Sequence, residues 1–202
     1  RLSLVGSEMC IRDRHYSIID DSGNAVSVTY TLGYSFGSGV TIEGTGILGN
    51  NQMNNFAHEY GNNSYRRSAS PANKLESLKR PMSTMAPIMV FNGDGKLALI
   101  TGSPGGSQIP NINLQLLVNV LDFNLDIGEA TMMPRIHQDS QEPELLVEKT
   151  VNFDTRRLLE VLGHNVEISD TIGSTQSIHI VEGIRYGYAD LRRPNAKVSI
   201  KK

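Results

Sequence analysis

The chain has 202 residues, of which 39% are hydrophobic and 20% charged, a composition typical of a globular protein long enough to bury a core. Its formal net charge of −2 provides no long-range attraction for nucleic acid or anionic membrane, since both need clustered Lys and Arg. No run reaches the ~18 apolar residues that a membrane-spanning helix needs, and the single cysteine, Cys10, cannot form an internal disulfide. We therefore expect no nucleic-acid partner and no membrane span.

The first predicted element is a β-hairpin. HYSIID and AVSVTYTL flank the turn DSGN, in which Gly23 and Asn24 tolerate the positive φ that hairpin turns need. A second pair, APIMVF and KLALITGS, surrounds the turn NGDG. The near-continuous apolar character of this second pair predicts strands that are covered on both faces, which places them in an inner sheet.

Two amphipathic segments predict helices that pack on the sheet. The segment NINLQLLVNVLDF, residues 111–123, has apolar residues at helical spacing. In FDTRRLLEVLG, residues 153–163, Asp154 occupies the expected N-cap position and Gly163 is placed to end the helix. The predicted buried face of the first helix consists of Ile112, Leu116, Val120 and Phe123.

The late part of the chain predicts a further group of strands. Its segments are NVEI, TQSIHIVEG and IRYGYA, and Ile178 and Ile180 alternate with polar neighbours. Strands, helices and strands in this order predict layered α and β structure, with the hairpins favouring antiparallel sheet. Residues 57–80 are polar without a dependable period, as in functional lids or disordered connections.

The motif TGSPGGS, residues 101–107, directly follows a predicted strand. Its adjacent glycines, Gly105 and Gly106, allow backbone N–H groups to point into a concavity that suits an oxyanion or carboxylate. No Gly-Lys-Ser/Thr run follows, which excludes a phosphate loop. An ordinary strand-to-helix turn is the alternative, and the motif taken alone favours it.

Three further polar motifs allow a ligand-binding or an ordinary structural interpretation. GILGNNQMNNF, residues 46–56, groups four asparagines with Gln52, which suits a small zwitterion or a solvated turn equally well. Ser83 and Thr84 in KRPMSTMAP precede a strand, where their hydroxyls could bind a carboxylate or cap the strand end. GSTQS, residues 173–177, raises the same choice, and there the turn is favoured.

The histidines and the cysteine do not predict a metal site. The histidines show no i, i+4 pairing and no companion cysteine cluster, so we expect neither a zinc site nor another cofactor. Cys10 lies in an irregular leading segment without an evident base partner, so we do not assign it as a nucleophile. The histidines are His15, His58, His137, His164 and His179.

In this order, HYSIIDDSGNAVSVTYTL, GILGNNQMNNF, KRPMSTMAP, TGSPGGS and GSTQS resemble the small subunit of the γ-glutamyltranspeptidases, or glutathione hydrolases. The resemblance runs from about His15 to about Lys197. It implies an α+β fold of the N-terminal nucleophile hydrolase type, a four-layer αββα sandwich, from a precursor that cuts itself into two subunits. It also implies a threonine at the new N-terminus, whose hydroxyl attacks a γ-glutamyl amide while its α-amino group acts as the base.

The resemblance further implies partners and a location. The partners are the large subunit of the same precursor, glutathione or another γ-glutamyl compound as donor, and water or an amino acid as acceptor. It implies no cofactor, and a periplasmic or extracellular compartment.

The resemblance assigns two kinds of site residue. Thr31 matches the threonine that hydrogen-bonds the nucleophile, and Gly105 and Gly106 match the glycines of the oxyanion hole. The substrate-binding positions follow the family pattern, with a threonine in place of one usual serine. They are Ser83 and Thr84 for the substrate α-carboxylate and Gln52 near its α-amino group.

The chain departs from the family pattern at three positions. Gly33 stands where an asparagine is common, and Asn55 replaces the aspartate that pairs with the substrate ammonium. An amide at position 55 forgoes about 1 to 2 kcal/mol of charge-assisted hydrogen bonding. The nucleophile slot, two residues before His15, holds Asp13, followed by Arg14, and neither attacks an amide. An acylase for another amide, or a non-catalytic binding relative, therefore stays open beside the γ-glutamyl enzyme.

We interpret residues 1–14 as a non-native leader and residues 15–202 as a γ-glutamyltranspeptidase small-subunit-like domain. The sharp start of the resemblance at His15 favours this interpretation over a natural extension in a degenerate homologue. With the leader present, the α-amino group would lie a dozen residues from the nucleophile slot. We therefore expect no turnover from the chain as written.

Overall fold

The structure is a computed structural model that describes residues 13–57, 70–139 and 142–200. Residues 1–12 of the proposed leader and residues 58–69 of the polar segment over 57–80 lie outside these ranges. The described residues form eleven β-strands and three α-helices, a mixed α and β arrangement. Within the described ranges, no helix combines the length and the apolar character needed to cross a bilayer.

The predicted first hairpin is confirmed. Strand β1 (Arg14–Ile19) pairs antiparallel with β2 (Ala25–Tyr30). In the turn, Gly23 adopts a φ of +85°, a conformation that glycine tolerates without strain. Asn24 instead donates from its backbone N and its side-chain Nδ2 to the Asp20 carboxylate, 2.8 Å in each case. The turn is therefore closed by one positive-φ glycine and one carboxylate.

Four antiparallel strands form the main sheet, in the order β11-β10-β6-β5. Leu99 and Ile100 of the inner strand β6 are fully buried, as predicted. Strand β5 lies at the edge and Phe91 is 58% exposed, so the prediction of coverage on both faces is wrong for that strand. The four strands are β5 (Ile88–Phe91), β6 (Leu97–Thr101), β10 (Gln176–Val181) and β11 (Ile184–Ala189).

Helices α1 (Ile109–Leu121) and α2 (Ile127–Met132) pack against Leu99 of β6 and close the main core. The predicted buried face of the first helix is confirmed for three of its four residues. Phe123 is the exception, 66% exposed, because α1 ends before it. The three confirmed residues are Ile112, Leu116 and Val120.

Helix α3 (Phe153–Val161) confirms the second predicted helix, but neither its cap nor its predicted packing on the sheet, since none of its residues is buried and Leu158 is 62% exposed. The side chain of Asn152 accepts from Thr155 N at 2.7 Å, so Asn152, not Asp154, is the N-cap. An asparagine in extended backbone just before the first turn satisfies one of the amides that the helix leaves unpaired. Gly163, with a φ of +93°, follows the end of the helix as predicted.

The predicted late group of strands is divided between two sheets. β10 and β11 join the main sheet, whereas β9 (Asn165–Ser169) joins a second sheet of order β7-β8-β9. Strands β8 and β9 are parallel, because α3 returns the chain to the same end of the sheet. The remaining strands are β3 (Thr41–Ile42), β4 (Ile47–Leu48), β7 (Ile136–His137) and β8 (Glu144–Glu148).

Two serine hydroxyls of the β1-β2 hairpin donate hydrogen bonds to backbone carbonyls of β6 and β10. Ser17 Oγ donates to Gln176 O at 2.8 Å, and Ser27 Oγ donates to Thr101 O at 3.0 Å. These bonds fix the position of the hairpin relative to the end of β6, where the TGSPGGS motif begins.

A buried charge network lies beside α2 and the main sheet. Arg135 Nη2 lies 2.8 Å from Asp190 Oδ2, and Arg192 Nε lies 2.7 Å from Glu148 Oε1. Both arginines also donate to Thr131 O in α2, at 3.0 and 2.7 Å. Burial lowers the pKa of Arg135 from its ordinary value, and the attraction of the Asp190 carboxylate only partly offsets this effect. The network therefore satisfies charges and backbone carbonyls together.

The burial of this network predicts a large stability loss when one charge is removed. Asp190→Asn is expected to lower the free energy of unfolding by about 3 to 5 kcal/mol, because it leaves buried arginine charge uncompensated. Asp170→Asn, which removes the exposed partner of Lys149, should cost less than about 1 kcal/mol. The measurement is the urea midpoint at constant m-value. Equal small shifts in the two variants would show that the network does not stabilise the fold.

Candidate active site

The turn after β6 directs two backbone amides at one carboxylate oxygen. Gly105 N and Gly106 N donate to Asp13 Oδ2 at 3.4 and 3.2 Å. Gly105 has a φ of +148° and Gly106 a φ of +57°, conformations that side chains rarely adopt. Two amides that converge on one oxygen form an anion-binding nest. The predicted concavity is thus present, and it contains the side chain at position 13.

Residue 13 is held at its main chain as well as at its side chain. Asp13 is only 5% exposed. Its carbonyl accepts from Arg193 Nη1 at 2.8 Å and from Arg14 Nη1 at 3.0 Å. The C-terminal segment, through Arg193, therefore helps to place residue 13 at the glycine amides, a role that no sequence motif predicted.

His15 fixes the start of β1 on the end of β6. Its Nε2 lies 3.1 Å from Ser17 Oγ, and its Nδ1 lies 2.8 Å from Thr29 Oγ1. Ser17 donates its hydroxyl hydrogen to Gln176 O, so its oxygen accepts from His15 Nε2–H, which assigns Nδ1 as the acceptor from Thr29. Burial lowers the pKa of His15 to about 4, which keeps the ring neutral at physiological pH.

The His15 ring lies directly against Gly102, where a Cβ would overlap the ring. Asp13 directly precedes β1, two residues before His15, so this contact holds the start of β1 next to residue 13. Gly102 in turn lies three residues before Gly105. The His15–Gly102 contact therefore couples residue 13 to the glycine pair.

Thr31 directly follows β2. The antiparallel pairing ends at Arg14 and Tyr30, so Asp13 and Thr31 are the residues next to the last pair, and both line the same cleft. The hydroxyl of Thr31 accepts from Gly33 N at 2.8 Å. Gly33 has a φ of +90°, so a side chain at this position would be strained. This conformation accounts for a glycine here in physical terms.

An amide cluster forms one wall of the site. Asn55, 5% exposed, donates from Nδ2 to Gln52 Oε1 at 2.8 Å and to Met82 O at 3.4 Å. Asn73 Nδ2 donates to Asn55 O at 2.6 Å, and its Oδ1 accepts from Met82 N at 2.9 Å. Asn55 is therefore packed, whereas Asn50 and Met53 of the same motif are exposed, and the Asn73 bond to Met82 N positions the residue before Ser83.

The two hydroxyl residues of KRPMSTMAP differ in their surroundings. Thr84 is buried, and its Oγ1 donates to Gly106 O at 2.8 Å. Ser83 is exposed, and its hydroxyl oxygen accepts from Met85 N at 3.2 Å. Thr84 therefore links this segment to the glycine pair, while Ser83 faces the open side.

All the residues assigned from the motifs line one open cleft of about 1360 Å³. Its lining also includes acidic residues of the second sheet, among them Glu144 and Glu167. In residues 13–57, 70–139 and 142–200, no three His, Cys, Asp or Glu side chains are placed to hold a metal ion. His58 and Cys10 lie outside these ranges. The assigned residues that line the cleft are Thr31, Gln52, Asn55, Ser83, Thr84, Gly105 and Gly106.

A strand end next to a two-amide nest, within a hydroxyl- and amide-lined cleft, is the arrangement that the resemblance implied for an N-terminal nucleophile hydrolase. The sequence model of the family described as Gamma-glutamyltranspeptidase matches residues 13–200. The chain belongs to the gamma-glutamyltranspeptidase family.

Known relatives extend this comparison. The glutathione hydrolase proenzyme of Escherichia coli (strain K12) is 46% identical over 180 residues, which cover 88% of this chain and 31% of that protein. The crystal structure of an acivicin-inhibited gamma-glutamyltranspeptidase has a TM-score of 0.84 and 39% identity, covering 89% of this chain and 98% of that one. A cephalosporin acylase from Bacillus halodurans has a TM-score of 0.80 and 27% identity, covering 93% and 34%. The chain thus spans about a third of the length of the curated relatives it matches.

The depressed pKa of His15 predicts a loss of stability in mild acid. Above pH 6.5 the ring is neutral in the folded and the unfolded chain. Between about pH 6.5 and about 4 the unfolded chain binds a proton that the folded chain does not, so stability falls as the pH falls. The loss from this residue levels off below about pH 4 at roughly 3 kcal/mol.

His15→Gln should therefore reduce the difference between the free energies of unfolding measured in urea at pH 7.5 and pH 4.5. His164→Gln, in an exposed turn, is the control and should retain the wild-type difference. An unchanged pH dependence in His15→Gln would contradict the assignment of a buried, neutral His15.

Proposed function

We propose that this chain is the small-subunit part of a γ-glutamyltransferase or glutathione hydrolase. Such an enzyme cleaves γ-glutamyl amides and passes the glutamyl group to water or to an amino acid. One observation carries the proposal: the amides of Gly105 and Gly106 converge on the side chain at position 13. This is the position at which the family resemblance places the nucleophilic threonine.

In the proposed mechanism, the glycine pair acts as the oxyanion hole. The attack of a residue-13 hydroxyl on the γ-glutamyl carbonyl would develop negative charge on the carbonyl oxygen, and two preorganised N–H donors would stabilise it. Thr31, which follows the last residue of β2 that pairs with β1, would hydrogen-bond the attacking hydroxyl. A free α-amine at residue 13 would act as the base, because it titrates near ~8 and accepts a proton at neutral pH.

The substrate-binding side chains are proposed to bind the two charged groups on the α-carbon of the glutamyl group. Ser83 and Thr84 would hold the α-carboxylate, and Gln52 with Asn55 would lie near the α-ammonium. Thr84 donates to Gly106 O, so it would have to redirect its hydroxyl on ligand binding. Ser83 uses only its oxygen towards Met85 N, so its hydroxyl hydrogen is directed elsewhere and suits a carboxylate.

The proposed partner is a large subunit from the same precursor, which would complete a four-layer αββα sandwich. Support comes from the chain lengths, since this chain spans 31% of the Escherichia coli proenzyme but 98% of the small solved chain. The hairpin also exposes apolar and aromatic side chains that a partner would cover. These are Tyr16, Ile18, Val26 and Tyr30, exposed by 42 to 54%.

With Asp13 in the nucleophile slot, we propose that the chain as written does not turn over. A carboxylate at this position offers no hydroxyl for acyl transfer. It also occupies the two amides that an oxyanion would need. The family activity therefore requires a different residue at position 13.

The test places residues 13–202 with Asp13→Thr behind the N-terminal part of the Escherichia coli proenzyme. We expect this precursor to cleave itself before residue 13 and to hydrolyse a γ-glutamyl anilide, with a burst of acyl-enzyme. The matched precursor that retains Asp13 should stay one chain and show no burst. Cleavage or turnover by the Asp13 precursor, or inactivity of a folded and cleaved threonine form, would overturn the proposal.

A second candidate function is an acylase for another amide, and Asn55 favours it. The side chain is neutral and donates to Gln52 and to Met82 O. It thus lacks the charge that would pair with a substrate ammonium. The structural similarity to a cephalosporin acylase agrees with an acyl group other than glutamyl.

Asn55→Asp in the threonine precursor distinguishes the two functions. For a γ-glutamyl enzyme, we expect the KM for the γ-glutamyl anilide to fall about 5- to 30-fold, the equivalent of about 1 to 2 kcal/mol of charge-assisted bonding. The KM for a neutral acyl anilide should stay within about twofold. Asn54→Asp, which adds the same charge one residue away, is the control and should have a smaller effect. A parent precursor that already prefers the neutral anilide would support the acylase.

A further inference from the structure

The motif GSTQS has no part in the proposed chemistry, yet it packs directly behind the glycine pair. Ser174 N donates to Ser103 Oγ at 3.0 Å, and Ser103 Oγ donates to Pro104 O at 2.6 Å. Ser103 is fully buried. Its hydroxyl therefore connects the GSTQS segment to the carbonyl that precedes Gly105.

The geometry of the peptide group makes this contact directional. Pro104 O and Gly105 N belong to one planar trans peptide, so the direction of the carbonyl fixes the opposite direction of the N–H. The Ser103 bond to Pro104 O thus orients Gly105 N–H towards residue 13. The next peptide is held differently, because Gln108 N donates to Gly105 O at 3.1 Å and so orients Gly106 N–H. The two amides depend on separate supports.

Gly173 brings the two segments into close contact. A Cβ on this residue would overlap the side chain of Ile112 and would lie 2.7 Å from Ser103 Oγ and 3.1 Å from Pro104 O. Its φ of +66° also favours glycine. The GSTQS segment is thus pressed against the Ser103–Pro104 peptide without a side chain between them.

The buried charge network anchors residues 172 and 175, on either side of Gly173 and Ser174. Ile172 N donates to Glu148 Oε1 at 2.7 Å, and Ile172 O accepts from Arg135 Nη1 at 2.9 Å. Thr175 N donates to Asp190 Oδ2 at 3.0 Å. A segment held at these two residues by buried charges gives Ser174 a fixed position from which to hold Ser103.

We propose that Ser103 is a positioning residue that orients Gly105 N–H. We propose further that residues 172–175, called the brace below, hold Ser103 in place. The positioning role stands on the geometry alone, while its catalytic consequence rests on the proposed function. Ser103 acts through the peptide of Pro104 and does not touch the side chain at position 13 in this scheme.

The test is amide hydrogen exchange in the 202-residue chain carrying Ser103→Ala, resolved by NMR. We expect exchange at Gly105 N–H to accelerate at least about fivefold, because a local bond is lost while the fold persists. Gly106 N–H, together with Leu99 and Ile100 in β6, should change less than about twofold. Equal acceleration at all four amides would mean general destabilisation and would overturn the proposal, as would an unchanged Gly105.

Substitutions of two glycines, Gly173 and Gly183, test whether the brace holds Ser103. Gly173→Ala and Gly183→Ala both place a side chain at positive φ, +66° and +80°, but Gly183 has open space around its Cβ position. We expect only Gly173→Ala to shift the Gly105 amide resonance and to accelerate its exchange. The same change at Gly105 in both variants would overturn the role of the brace.

An activity measurement separates this proposal from the proposed function. In the threonine precursor, Ser103→Ala should lower kcat for the γ-glutamyl anilide about ten- to a hundredfold, with KM within about twofold, since an oxyanion donor is misdirected. An inactive parent precursor with the expected exchange result would overturn the function and support the positioning role. An active precursor with unchanged kcat and exchange would overturn the positioning role alone.

Discussion

The site depends on one interaction, the convergence of two backbone amides on the side chain at position 13. Gly105 and Gly106 reach this geometry only with positive φ at both residues. The acceptor, Asp13, is almost completely buried, and in such surroundings a hydrogen bond is electrostatically stronger than the same bond in water. The other contacts described around the site hold either the two glycine amides or residue 13 in place.

Donors and acceptor are supported by different parts of the chain. On the acceptor side, His15 rests on Gly102 and Arg193 holds the carbonyl of residue 13. On the donor side, the brace and Gln108 each orient one peptide. Buried ion pairs add little net stability compared with apolar packing of the same volume. The buried network is therefore better explained by the backbone groups that it orients, and these include both ends of the brace.

Local patterns predicted much of the fold and little of its long-range pairing. The hairpin and the buried face of α1 follow from residue periodicity and turn chemistry, which act within a few residues. The parallel β8-β9 pair was not predicted, because β8 has only five residues without a clear alternation, and because parallel pairing is set by the connection through α3. The N-cap was misplaced because Asn152 and Asp154 both suit that position, and only backbone conformation separates them.

For the candidate site, too, local motifs were informative and long-range contacts were not predicted. The order of the motifs predicted which segments meet, and the structure places their residues in one cleft. Arg135, Glu148, Asp190 and Arg192 lie far apart along the chain and follow no local pattern, so no sequence signal identified them as a network. Ser103 lies inside the TGSPGGS motif, but its contact with the brace depends on how two loops that are distant in sequence pack together.

Under the proposed function, the departures at positions 13 and 55 act against the same ligand in different ways. Asp13 fills the two amides with a carboxylate oxygen, so a substrate carbonyl would have to displace a tethered anion. Asn55 leaves the ammonium end of the ligand facing a neutral amide whose donors are directed at Gln52 and Met82. Neither departure disturbs the scaffold, because Asp13 makes the bonds that an oxyanion would make and Asn55 is packed into the wall. The geometry of the site is thus retained while its chemistry is changed, and the residue at position 13 decides whether that geometry stabilises a transition state or only a side chain.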